Sequence, residues 1–385
     1  MRTVTLDKVA KIDRKAASEE ECRLLPYVGL EHIEKDTGRF VPEFEISPEA
    51  LLAAKLRFTS RHVLYGKLRP YLNKVALPNF DGVCTTEILP ILPMEGVLDR
   101  TYLWALLLSP AFVEWASAQV SGANLPRLAP ELLAKYSFTL PPLLEQQRIA
   151  AILARADRLR RLRRYALELS AGYLQAVFVE MFGDPVRNPN GWKIGSIGDV
   201  LDSSQYGTSQ KSNSEQRGYP VLGMGNITYS GSLDLTSLAY VDLTKTEFES
   251  LQLQPGDIIF NRTNSTELVG KTAHWNIPLD AVIASYLVKL RLKQGVRPEY
   301  FTVLLNSPYY KHLFRTRCKE AIGQSNVSPT LLAEFPVMIP PVLMQQEFAH
   351  IAWKHDRLRA QQREAARQAE QLFGALLGRA FRGEL

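Results

Sequence analysis

At 385 residues, with 46% hydrophobic and 22% charged positions, the chain has material for two or three domains with real cores, which excludes a disordered or low-complexity protein. Lys and Arg number 46 against 40 Asp and Glu, a net charge of +6 that admits a polyanionic partner without demanding one. Cys22, Cys84 and Cys318 stand far apart with no C-x-x-C, which excludes a disulfide scaffold or zinc ribbon and suits a reducing cytoplasm.

In chain order, the N-terminus MRTVTLDKVAKIDRK lacks the apolar stretch of a signal peptide, and the best apolar run, 103–108, is too short to span a bilayer. A soluble, cytoplasmic protein is expected. Strand-like residues run over 83–91, and a helix is expected over 101–108. After Pro141-Pro142, which suits a helix start because proline lacks the N–H that is orphaned there, no proline appears until Pro185. The Ala, Leu, Arg, Gln and Glu between them predict one long helix over 142–182. Asp184-Pro-Val-Arg-Asn-Pro-Asn-Gly-Trp192 reads as a turn-rich boundary. Strands are expected over 257–260 and 281–288, a helix over 298–305, and a second long helix over 341–381.

The chain repeats itself. Leu140-Pro-Pro-Leu-Leu-Glu-Gln-Gln147 returns 199 residues on as Ile339-Pro-Pro-Val-Leu-Met-Gln-Gln346. Asp157-Arg-Leu-Arg160 returns as Asp356-Arg-Leu-Arg359 at the same shift, and Ser109-Pro110 as Ser307-Pro308 at 198. Such a duplication constrains the fold more than any single motif. Ile152, Leu159, Ala166 and Tyr173 keep heptad spacing, as do Ile351, Leu358, Ala365 and Leu372, so these eight are the expected helix-pair interface of a coiled coil. Two amphipathic helices docked each on its own globule is the other reading of the same stripes. The expected class is mixed α+β: globules over 1–140 and 184–339, long helices over 141–183 and 340–385, in an internal two-fold repeat.

The doubled Pro-Pro-x-x-x-Gln-Gln start, with Met181-Phe-Gly-Asp-Pro185, Asn190-Gly-Trp192, Pro255-Gly-Asp-Ile-Ile-Phe-Asn-Arg262 and Leu268-Val-Gly-Lys271, resembles the specificity subunits of type I restriction–modification systems over the whole chain. The resemblance implies that each globule is a target recognition domain reading half of a bipartite, asymmetric site in double-stranded DNA. It implies antiparallel long helices that hold the two domains apart and dock two methyltransferase subunits, with restriction subunits joining later. It also implies that no catalysis or cofactor belongs to this chain, with S-adenosylmethionine, ATP and Mg carried by the partner subunits. The first globule departs from the second, with Leu64-Tyr-Gly-Lys-Leu-Arg-Pro70 standing where the second has Ile259-Phe-Asn-Arg262, as two different half-sites would require.

Catalytic signatures are missing. Asn188-Pro189 continues as Asn190-Gly191 rather than Pro-Tyr, and Gly270-Lys271-Thr272 imitates the end of a phosphate loop but has Ser265 where its first glycine belongs. The acid-x-Lys step Asp13-Arg-Lys15 has one upstream acid, Asp7, and His350 and His355 lie five apart, off one helix face. Binding chemistry remains. Reading bases takes Arg, Lys, Asn or Gln on loops that enter a groove, and Ser, Thr and backbone N–H groups hold phosphates. The candidates in the first globule are Lys67, Arg69, Tyr71, Asn73, Lys74, Asn124 and Arg127. In the second they are Tyr206, Thr208, Ser209, Gln210, Lys211, Asn261, Arg262, Asn264, Ser265, Lys271, Gln324 and Asn326. Each loop also reads as an ordinary polar turn. The arginines of 155–164 fit a DNA face, a solvated face or a docking face. A stand-alone coiled-coil DNA-binding or scaffold protein is the alternative function.

Overall fold

The repeat read from the sequence is a repeat of topology. In a computed structural model of the chain, residues 2–41, 54–120, 125–321 and 324–385 are described. The chain divides into two units: Met1–Arg164 with Glu364–Leu385, and Tyr165–Arg363. Each unit therefore holds one globule and half of each long helix.

In the first unit an antiparallel four-stranded sheet runs in the order Ala10–Ile12, Ile88–Pro93, Val63–Gly66, Val75–Ala76. In the second the matching order is Leu201–Tyr206, Leu287–Leu292, Ile258–Asn261, Thr272–His274. The central strands end alike, Gly66 opposite Ile88 and Asn261 opposite Leu287. Both are buried throughout, as expected for continuous apolar runs covered on two faces. Each unit adds a parallel pair, Tyr27–Val28 with Gly82–Thr85 and Tyr219–Leu222 with Val282–Ile283. Each is closed by a two-stranded ribbon, Arg2–Thr5 with Ser137–Leu140 and Lys193–Ser196 with Pro336–Ile339. The expected helices form as Arg100–Leu108, started by the Asp99 carboxylate on the Tyr102 N–H, and Pro298–Leu305.

The Pro-Pro-x-x-x-Gln-Gln motif turns out to be a structural anchor. The buried Gln146 amide accepts from the Asp99 N–H at 2.9 Å and donates to the carbonyls of Val97 and Pro141. Gln345 repeats this, accepting from the Arg297 N–H at 3.0 Å and donating to Pro340. One side chain thus ties the first turn of each long helix to its own globule. The second long helix is unbroken over Val342–Arg382, whereas the first runs over Leu143–Leu169, tightens to a 3-10 turn at Ser170–Gly172 and resumes at Tyr173–Phe182. Gly172 is matched 199 residues on by Gln371, so at that position only the first copy has the residue that weakens a helix interior.

Within each unit the two half-helices pair antiparallel. In the first, Arg160 meets Glu370 while Arg148 reaches the Leu385 carbonyl. In the second, Ser170 meets Gln362 while Phe182 packs on Phe348. The buried stripe differs from the heptads read from the sequence. Leu159, Leu358, Leu372 and Tyr173 are exposed, and Ile152, Ala166, Ile351 and Ala365 are only partly covered. Ile149, Leu153, Ala156 and Arg160 form the buried stripe of the first helix. On the second helix Phe348, Ala352 and His355 are buried in one unit, and Ala369, Phe373, Leu377 and Ala380 in the other. The stripe escaped the pattern because it contains alanines and an arginine where the eye follows leucines.

Arg160 also corrects the arginine run. It is 2% exposed, ion-paired to Asp157 and Glu370, bonded to the Thr37 carbonyl and stacked over Phe373. It faces neither DNA nor solvent. Asp184-Pro-Val-Arg-Asn-Pro-Asn-Gly-Trp192 is a boundary as expected: Asp184 takes the N–H groups of Val186 and Arg187, and the Trp192 indole closes on the Phe182 carbonyl at 2.8 Å.

Candidate nucleic-acid interface

Where each central strand leaves its sheet, one cationic side chain stands at the same backbone address. The Arg262 N–H donates to the Tyr286 carbonyl, and the Arg262 carbonyl accepts from the Val327 N–H. Lys67 does the same with the Glu87 carbonyl and the Leu128 N–H. Three pairs of equivalents follow: Lys67 with Arg262, Glu87 with Tyr286, and Arg127 with Asn326, whose strands bridge to Leu68 and Thr263 respectively.

The companions differ. In the second unit the Arg262 guanidinium donates to Asn326 Oδ1 and to the Ser285 carbonyl, both at 3.3 Å, and lies 4.8 Å over the half-exposed Tyr206 ring. This pre-orients a half-buried fork while leaving Nη2 without a bond to any described residue. Gly207 follows Tyr206 because a Cβ there would meet the Ile283 carbonyl at 2.1 Å. Ser209, Gln210, Lys211 and Ser265 are exposed beyond it, and Asn264 is partly exposed with its Oδ1 on the Ser265 N–H. In the first unit Lys67 is half-buried, and Arg127 is held by Glu87 at 3.1 Å. Arg69, at φ +52°, and Tyr71 project outward.

Five candidates are structural instead. The Lys74 ammonium is held by the carbonyls of Leu30 and Ile33 at 2.7 and 2.8 Å, and Lys271 by those of Met224 and Ile227 at 2.7 and 2.6 Å. Burial pushes both amines below their ordinary pKa. Each sits on the last carbonyls of a 3-10 turn, so this is one device used in both copies. Asn73 is buried with its amide on the Leu108 carbonyl, Thr208 is buried with its hydroxyl accepting from the Gln210 N–H, and Asn261 is wholly enclosed. None of these five presents a side chain to a groove. Asn124 lies outside the described residues, and Gln324 is placed only as backbone in the strand Gln324–Asn326. Sequence reasoning missed Glu87 and Tyr286, although both stand 199 residues apart just before a strand.

The family model of the type I restriction modification DNA specificity domain matches twice, over residues 65–168 and 189–368. The chain belongs to this specificity family. Each match of the specificity domain takes in one cationic address and most of the following long helix. Among curated relatives, the EcoKI specificity subunit of Escherichia coli K12 is 25% identical over 70% of this chain and 62% of its own length. The putative MjaX specificity subunit of Methanocaldococcus jannaschii is 30% identical over 44% of this chain and 40% of its own length. These matches span less than two thirds of either relative. Among solved structures, the S subunit of a type I restriction–modification system from M. genitalium shares the fold at a TM-score of 0.63, with 12% identity over 99% of this chain and 96% of that one. No helix among the described residues is long and apolar enough to cross a membrane.

Proposed function

We propose that the chain reads the two halves of a bipartite, asymmetric site in double-stranded DNA, one half per repeat, and directs partner subunits to it without chemistry of its own. The observation that carries this reading is the shared backbone address with divergent companions: Lys67, Glu87 and Arg127 in one copy, Arg262, Tyr286 and Asn326 in the other. A fork such as Arg262 matches guanine in the major groove, and its address carries Tyr286 and Asn326 where the other carries Glu87 and Arg127, so the two addresses favour different bases. Exposed Ser209, Gln210 and Lys211 suit phosphate contacts that fix register.

Exposed apolar residues of the long helices recur across the repeat, which supports two copies of one partner. Leu144 and its mate Leu343 are 81% and 78% exposed, and Tyr173 and Leu372 are 49% and 45%. Large apolar side chains left in water at matched positions are what a doubled docking surface looks like. The partner is a methyltransferase subunit, and restriction subunits join that core. S-adenosylmethionine, ATP and Mg belong to these subunits.

The test is duplex binding by the purified chain against salt, followed by incubation with S-adenosylmethionine. The expected result is a steep fall of affinity with salt and no methyl transfer until the methyltransferase is added. Methylation by the chain alone, or salt-independent binding, would contradict the reading.

A further inference from the structure

The two copies carry the same arginine at one matched position on the long helices but surround it differently. In the first unit Arg160 is fully committed: Asp157 at 2.8 Å, Glu370 at 2.7 Å, the Thr37 carbonyl, and Phe373 beneath its guanidinium. Trp104 seals the cluster, its ring on Phe373 and its indole N–H on the Gly38 carbonyl.

In the second unit the mate of Arg160 is Arg359. Counting back by the same 199, Glu370 is matched by Ala171 and Phe373 by Leu174; at 198, Trp104 is matched by Thr302. One carboxylate and two aromatic rings are gone. A cavity of about 660 Å³ stands there, lined among others by Ala171, Leu174, Thr302, His355 and Arg359. Among the described residues Arg359 makes no ion pair, and its Nε is buried without a hydrogen-bond partner, as are Thr302 Oγ1 and His355 Nδ1. Arg357 and Arg363 add two more guanidinium groups to the wall. Of its acids, Glu299 faces Arg297 at 3.6 Å and Asp356 is turned to His355 at 3.8 Å. Burial and the neighbouring Arg363 both disfavour the charge on Arg359, with Asp356 only partly offsetting them. A half-buried cation whose Nε is enclosed without a partner calls for an anion.

We propose that this cavity receives the carboxylate of a Glu or Asp side chain carried by the methyltransferase subunit that docks on the second long helix, completing around Arg359 the cluster that Glu370 completes around Arg160. The inference rests on the reading of partners given above. A protein is favoured over a free anion or a DNA phosphate because Trp353 and Leu358, on the same helix, are 52% and 49% exposed, an apolar rim that a protein surface covers. The first copy fills its own site, so one of the two docked subunits uses the contact and the other does not.

The experiment is native mass spectrometry of the full chain titrated with its methyltransferase subunit, comparing wild type with Ala171→Glu and Arg359→Met. Ala171 is exposed, so a glutamate is tolerated there and supplies the carboxylate from within. Wild type should take two subunits. Both variants should keep one tightly and hold the second about thirtyfold more weakly or worse, the loss expected when a desolvated ion pair is removed. If wild type takes two and both variants do so with unchanged affinity, the cavity proposal fails alone. If wild type takes none, the functional reading itself fails. Weakened duplex binding with unchanged subunit binding would assign the cavity to phosphate and overturn the proposal. Unchanged melting temperature of Ala171→Glu separates a lost contact from a lost fold.

Discussion

Lys271 and Lys311 are buried and Lys74 is half-buried, and the ammonium groups of Lys74 and Lys271 end on pairs of backbone carbonyls. Arg262 is the opposite case, a fork held in place by Asn326 and Ser285 with one edge free. Residue type and sequence neighbourhood do not separate these roles; Lys271 and Arg262 both sit in polar, glycine-punctuated stretches after a strand. What separates them is whether a carbonyl pair lies within reach, a property of the tertiary fold. The contrast is testable. Arg262→Ala should weaken specific duplex binding by about 1–3 kcal/mol and relax selectivity at one position. Lys271→Met should leave binding by the folded protein nearly unchanged and cost about 1–3 kcal/mol of stability, because two buried carbonyls lose their donor. Equal loss of specific and non-specific affinity in Arg262→Ala would demote it to a phosphate contact.

Lys311 makes a pH prediction. Burial, reinforced by Lys271 and Arg315, pushes its pKa down to about 8. Between that value and the ordinary lysine range the unfolded chain holds a proton that the folded one has released. Stability contributed by this group therefore rises with pH from about 8 to about 10, and below 8 the buried charge is a penalty on the order of 3 kcal/mol. Lys311→Met should raise the melting temperature at pH 7 and narrow its advantage by pH 10. A constant difference across that window would contradict the assignment.

At the scale of elements, the long helices were legible in length and start but not in facing. Proline limits and helix-forming composition bracket Val342–Arg382 within a residue or two, whereas the 3-10 turn at Ser170–Gly172 and the buried stripe depend on what each residue meets across the pair. Arg160 shows the consequence, since a buried arginine inside an arginine-rich run has no sequence signature. Its removal leaves Glu370 without its guanidinium and the Thr37 carbonyl without its donor. Arg160→Ala should therefore destabilise the chain by about 3 kcal/mol or more, read as a shift in denaturant midpoint. Arg158→Ala, one turn-face away and exposed, should shift it by less than about 0.5 kcal/mol. Similar effects from both would mean that the Asp157, Arg160 and Glu370 cluster carries no stability.

For the whole molecule, the duplication at 199 was the most informative feature of the sequence, because it predicted two like halves, each a globule and a long helix; the sheets of one topology, the two Gln anchors and the two cationic addresses came from the structure. It also made the departures meaningful: Glu87 against Tyr286, Arg127 against Asn326, Glu370 against Ala171. If two different readers are joined through these helices, helix length sets the gap between half-sites. Four residues inserted after Ala166 add about one turn and roughly 6 Å, close to two base pairs at about 3.4 Å each. Some packing is lost, since four residues do not restore the repeat of the pair. The measurement is modified-base sequencing of a genome in cells carrying the chain, wild type or inserted, with its methyltransferase. The expected result is a two-part motif whose half-sites are unchanged by the insertion and whose gap changes by about two base pairs. An uninterrupted motif, or an unchanged gap in an active variant, would contradict it.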